Sequence, residues 1–177
     1  EHKEVIGNLL ALHTANRLPH ALLITSASGV GLSNATSSLC TALVCEQLSD
    51  EACGECGSCR RAAAGTHGDY RWLGVVEGKA SIGIDQIREA ADFVTKTAGY
   101  GSRKILVISE AEKMTTGASN ALLKTLEEPQ GNSIVVLVSQ RFWLLPATIR
   151  SRCQTWQLPA LHASSSIGYL RAAGVAI

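Results

Sequence analysis

The chain has 177 residues, 46% of them apolar, which suffices for one domain with a real core and excludes disorder as its main state. Sixteen Lys and Arg stand against fifteen Asp and Glu, a formal charge of +1, so there is no bulk basic field to hold a polyanion. The longest apolar runs, residues 105–108 and 134–138, fall far short of the ~20 residues that carry a helix across a bilayer. The start, Glu1-His2-Lys3-Glu4, has neither an initiator Met nor a leader pattern, so a trimmed N-terminus in a cytoplasmic protein is expected.

In chain order, the first β-branched apolar run covers residues 21–25 and reads as a strand. A glycine-containing turn follows, then an Ala- and Leu-rich stretch over 31–48 that reads as a helix. Residues 53–68 form a Cys-, Gly- and Ala-rich insertion suited to a metal-tied knuckle. A second strand is expected over 71–76. Ile84, Ile87, Ala91 and Val94 then share one helical face, with Asp85 near its start. A third strand over 104–109 leads to a helix over 118–128 that gathers Leu122, Leu123 and Leu126 and stops at Pro129. Strands over 134–139 and 153–158 complete the pattern. The middle runs are continuously apolar, as in strands covered on both faces. The fold class is therefore α/β: a parallel five-stranded sheet flanked by helices, with right-handed crossovers and a small cysteine module after the first helix. The domain is expected to span 1–160, with the module at 45–65, and residues 161–177 to open a second, truncated domain.

Cys45, Cys53, Cys56 and Cys59 make a Cx7CxxCxxC array, and zinc takes four thiolates at tetrahedral corners. Three Cys within seven residues cannot all bridge one another, which argues against a disulfide framework. An iron-sulfur cluster is the competitor, because CxxCxxC also opens the bacterial ferredoxin run. That run continues with Cys and Pro, where this chain has Ala63 and Ala64, so structural zinc is preferred. Cys40, five residues before Cys45, lies about 140° around a helix from it and is expected in the core, as is Cys153. His20 and His67 are expected to be ordinary polar residues, since four thiolates close the shell.

The turn after the first strand reads Ser26-Ala27-Ser28-Gly29-Val30-Gly31-Leu32-Ser33. A phosphate-binding GxxxxGK[ST] loop needs Gly at both ends, a Lys for the β and γ phosphates and a hydroxyl for magnesium. Aligned on Gly31 and Ser33, the first Gly is Ser26 and the Lys is Leu32, and nearby Ser28, Asn34 and Thr36 supply no replacement charge. The third strand ends in Ser109-Glu110, where a metal-holding loop would have Asp-Glu. A degenerate nucleotide loop is expected, formed by Ser26, Gly29, Gly31, Leu32 and Ser33 with Ser109 and Glu110, with ATP not bound productively.

These residues, together with Ala118-Ser119-Asn120-Ala121-Leu122-Leu123-Lys124-Thr125-Leu126-Glu127-Glu128-Pro129, the triplet Ser151-Arg152-Cys153 and the four-Cys insertion, resemble the AAA+ clamp loader subunits of bacterial DNA polymerase III, and among them the delta-prime group. The resemblance covers about residues 5–160. It implies an ATPase-like domain followed by a lid and a helical collar. The implied partners are gamma or tau and delta subunits, with the sliding clamp and primed DNA reached through the complex and no membrane. It also implies that Arg152 acts in trans as an arginine finger on ATP held by a neighbour. Two rivals remain at this point: a gamma/tau-like ATPase with a divergent loop, and a zinc-ribbon nucleic-acid module on an α/β scaffold, against which the neutral charge and the acidic Asp50, Glu51 and Glu55 weigh.

Overall fold

The computed structural model describes residues 2–27, 31–47, 51–101, 103–129 and 131–160; Gly29 and the expected second domain at 161–177 lie outside them. The elements are α1 (His2–Thr14), β1 (Ala21–Ser26), α2 (Leu32–Leu43), α3 (Gly57–Ala63), β2 (Tyr70–Leu73), α4 (Ile84–Thr95), β3 (Lys104–Ile108), α5 (Thr116–Glu127), β4 (Ser133–Ser139), α6 (Ala147–Arg150) and β5 (Gln154–Leu158). The five strands form one parallel sheet in the order β2-β3-β4-β1-β5.

Every residue of β1, β3 and β4 is buried, and successive side chains enter opposite layers. Leu22, Ile24, Ile105, Val107, Ile134 and Val136 pack with Leu39 of α2 and Leu9 of α1. Leu23, Leu106, Ile108, Val135 and Leu137 pack on the other side with Ile87 of α4 and Leu122 and Leu126 of α5. Each such side chain contributes about 1.5–3 kcal/mol of burial, so the sheet is stabilised equally from both faces. The edge strand β5 shows the opposite composition, with Gln154, Thr155 and Gln157 exposed.

Several boundaries differ from the sequence expectation for identifiable reasons. The helix α1 has no counterpart in that reading; only Leu9 and Leu10 of its thirteen residues are buried, a stripe too narrow to register as a period. The helix α2 ends at Leu43 rather than 48, so Cys45 is not on it, and Cys40 is a core residue because it is fully buried, not because of its angle to Cys45. The strand β2 stops at Leu73. A Cβ on Gly74 would stand 2.7 Å from Ser109 Oγ, so a side chain here would force Ser109 or the backbone to shift. The helix α5 starts two residues early, at Thr116, because the Thr115 hydroxyl caps it by accepting from Ala118 N–H at 3.2 Å.

At the amino ends of β2 and β3 lies a buried ion pair. Asp69 Oδ1 is 3.0 Å from Lys104 Nζ, both side chains being almost fully enclosed. The backbone N–H groups of Gly99, Tyr100 and Gly101 also donate to the Asp69 carboxylate. Burial pushes this carboxyl up, but these N–H groups and Lys104 outweigh it and bring it down to about 2. Its pKa is thus depressed on folding, so the stabilisation is complete above the unfolded value of 3.8 and is lost as pH falls through about 2. Asp69→Asn should cost about 3 kcal/mol at neutral pH by stranding Lys104. Denaturant melts from pH 5 to 2 should show the wild type losing about 2 kcal/mol that the variant does not lose.

Candidate functional site

The residues singled out above fall in three places. The first is the cysteine array. Cys45 follows the end of α2, Cys53 sits on the loop, Cys56 is the N-cap residue of α3 and Cys59 lies in its first turn. Their four sulfur atoms all lie within 4.8 Å of one another, and Cys53 Sγ and Cys59 Sγ are 3.9 Å apart. Tetrahedral zinc with Zn–S near 2.3 Å requires sulfur separations of about 3.8 Å, so the four fit one ion with little movement. None of the four is in a disulfide. Backbone N–H groups already point at the sulfurs: those of Gln47 and Cys53 at Cys45, of Cys56 at Cys53, and of Cys59 at Cys56, at 3.3–3.5 Å. Such donors stabilise thiolates, the form that binds metal.

Within the module, Glu46 ties the segment after α2 to the start of α3: its carboxylate accepts from Ser58 N–H at 2.9 Å, Ser58 Oγ at 2.8 Å and Arg61 Nη2 at 3.5 Å. His67 and His20 stand apart from the metal cluster. His67 Nδ1 accepts from Asp69 N–H, and His20 Nε2 is 2.9 Å from the carbonyl of Leu126. Cys40 and Cys153 are also apart from it, and burial pushes both thiols up.

The second place is the carboxyl end of the central strands, where α/β sheets present their ligand sites. Ser26 ends β1 in the interior, and Gly31 takes φ 74°, a left-handed conformation that a side chain would disfavour. Leu32 begins α2 and is only 3% exposed, packed into the apolar layer beneath the helix. The exposed Ser33 follows. Ser109 spends its hydroxyl on the Leu73 carbonyl at 3.0 Å across the neighbouring strand. Glu110, held at φ 49°, pairs with Lys113 at 2.5 Å. A cavity of about 240 Å³ is lined by Leu32, Ser33, Ser109 and Glu110, and it also receives Lys113 and Arg141. Both cations escaped the sequence reading because they come from separate loops, after β3 and after β4. Neither is free: Arg141 Nε is 3.9 Å from the buried Glu112.

The third place is Arg152, two residues beyond α6. It does not line that cavity. Its Nε donates to Glu127 Oε1 at 2.7 Å, with Nη2 at 2.5 Å from the same oxygen, and its Nη1 donates to the Thr148 carbonyl at 2.8 Å.

In the metal-free array the thiols are unequal. The Cys59 N–H, followed by further donors, pulls Cys56 down to about 6, while burial pushes Cys59 up to about 12. Site-resolved alkylation of metal-stripped protein should therefore label Cys56 first, with a rate that rises through about pH 6. Added zinc should suppress that labelling; equal labelling of all four sulfurs at pH 7 would contradict the assignment.

The family profile described as "DNA polymerase III, delta subunit" matches residues 1–162. The chain is 38% identical over 152 residues to DNA polymerase III subunit delta' of Haemophilus influenzae, covering 86% of this chain and 46% of that protein. It is 39% identical over 152 residues to the same-named subunit of Pseudomonas aeruginosa, with 85% and 46% covered. DNA polymerase III subunit tau of Bacillus subtilis is 31% identical over 153 residues, 86% of this chain and 27% of its own length. The chain thus spans less than half the length of the delta' relatives it matches. Among solved structures, a gamma subunit-related protein of Thermotoga maritima superposes with TM-score 0.68 at 23% identity, covering 92% of this chain and 49% of that one. The RuvB branch migration motor of the same organism follows at 0.57 and 14%, covering 97% and 49%. These two place the sheet and its helices in the AAA+ fold. With the cysteine module and the sheet in that arrangement, the chain belongs to the DNA polymerase III delta-prime family.

Proposed function

We propose that this chain is the ATPase-like domain, residues 1–160, of a clamp loader subunit that does not hydrolyse ATP itself. It helps to place the sliding clamp on primed DNA by supplying Arg152 in trans to a neighbouring ATPase subunit. The observation that carries the reading is the state of its own nucleotide site. Leu32, at the position of the phosphate-binding Lys, is buried in the core, and Ser109, at the position of the metal-holding Asp, is bonded to Leu73. Both charged contacts to magnesium-nucleotide are therefore missing, so the subunit's contribution to hydrolysis is made at a neighbour's site. The gamma or tau and delta subunits are the proposed partners, with clamp and DNA engaged through the assembled complex. Among the described residues no helix is long and apolar enough to cross a membrane, and the proposed location is the cytoplasm.

Zinc is the proposed occupant of Cys45, Cys53, Cys56 and Cys59, in a structural role. It would cross-link the 45–65 loop, where backbone N–H groups already favour thiolates. A second reading, a gamma/tau-like ATPase with a divergent loop, is favoured by one observation: Lys113 and Arg141 enter the cavity that a nucleotide would use. Against it, each has a carboxylate beside it, Glu110 and Glu112.

Titration of the subunit with a fluorescent ATP analogue and magnesium separates the two, with no binding expected at millimolar nucleotide. Tight binding with turnover would move the protein to the ATPase class. In a reconstituted complex, Arg152→Ala should lower ATP turnover by the gamma or tau neighbour, by up to about 10³-fold if the finger acts as in GTPases, while assembly is unchanged. Turnover at the wild-type level would sink the finger assignment.

A further inference from the structure

An arginine that acts across a subunit boundary faces an entropic problem before it faces a chemical one. Its side chain has about 2 kcal/mol of rotamer entropy, and an exposed turn leaves that freedom to be lost on contact with the partner's ligand. Arg152 lies in such a turn, two residues past a helix of four. Its guanidinium is nevertheless held on both flanks. Nε and Nη2 converge on Oε1 of Glu127, while Nη1 donates to the Thr148 carbonyl and lies 3.4 Å from Ser151 Oγ.

We propose that Glu127 is a positioning residue for Arg152, holding the guanidinium in a fixed pose from which it meets a phosphoryl group presented by the adjoining subunit. The inference rests on the finger reading of Arg152 given above. Glu127 suits the task because of where it stands: it is the last residue of α5, and Leu122 and Leu126 anchor that helix in the core. The carboxylate is therefore carried on a rigid base, 25 residues away from the arginine in sequence.

Counting donors shows what remains for a ligand. Of the five guanidinium N–H groups, that of Nε donates to Glu127, Nη1 is engaged by Thr148 and Ser151, and Nη2 stands in ion-pair contact with the same Glu127 oxygen. One N–H of Nη2 is left uncommitted, on a side chain that is 34% exposed. An acceptor with several anionic oxygens, such as a transferring phosphoryl group, satisfies that donor and the charge together. Arg150, the last residue of the short helix before it, makes no such pair among the described residues, and its buried Nε has no hydrogen-bond partner. The two arginines are thereby distinguished by their neighbours as well as by the triplet around Arg152.

Because the pair is half-exposed, it contributes little to folding, so its loss should be read in catalysis rather than in stability. The test is steady-state ATP turnover of a clamp loader reconstituted with its gamma or tau neighbour, clamp and primed DNA, comparing wild type, Glu127→Gln, Glu127→Asp and Arg152→Ala. The expected result for Glu127→Gln is a kcat lowered about tenfold with KM for ATP and melting temperature unchanged, as befits a misplaced catalytic group. Glu127→Asp, which keeps the charge, should recover most of the rate. A Glu127→Gln kcat at the wild-type level overturns the proposal, and one above it overturns it too by showing that the carboxylate restrains the finger. A strong Arg152→Ala effect with silent Glu127→Gln removes only the positioning role. A silent Arg152→Ala removes the finger reading and the positioning role with it.

Discussion

The burial of β1, β3 and β4 on both faces is the constraint from which most of the molecule follows. A strand with no solvent-facing side can carry no polar side chain along its length without a buried partner, so polar residues are displaced to the strand ends. At the carboxyl ends this leaves Ser26, Ser109 and Ser139 in a row beside Glu110, and at the amino ends it leaves Asp69 and Lys104. The two ends do different work. The amino end is an enclosed pair, saturated by backbone N–H groups, that joins the chain leaving the cysteine module to the loop before β3. The carboxyl end is an open cavity whose charges face one another in pairs.

The cysteine module is organised on a separate principle. It has almost no apolar interior of its own, and its geometry comes from N–H groups aimed at sulfur and from the Glu46 carboxylate that grips the start of α3. Lys3 on Glu51, Arg61 over the Tyr100 ring and Ala52 against the core join it to the rest of the domain, in a position between α2 and β2, outside the strand pattern.

What could be read in the sequence divides along these same lines. Continuous apolar runs located the three central strands, since double coverage leaves its mark on every residue of a strand. Cysteine spacing located the four thiols that come together, because groups gathered by tight turns are necessarily close in sequence. The edges were less legible. The closeness of Gly74 to Ser109, 35 positions apart in the numbering, has no local sign, and α1 buries too few residues to declare itself. Side-chain encounters across loops were not legible at all. Lys113 and Arg141, or Glu127 and Arg152, are brought together only when the sheet sets its helices side by side, and neither member of either pair carries a local sign of the other.

Leu32 has a consequence for the history of such a domain. Because the residue at the head of α2 is part of the apolar layer beneath the helix, its replacement by lysine withdraws packing from that layer at the same time as it adds a charge. Ser109 is likewise engaged, through Leu73, in joining β3 to the edge strand. Under the proposed reading of a degenerate nucleotide loop, these two positions are part of the scaffold, and each first step back would cost stability before any function returned. Departure from an ATP-binding ancestor would in this way act as a ratchet.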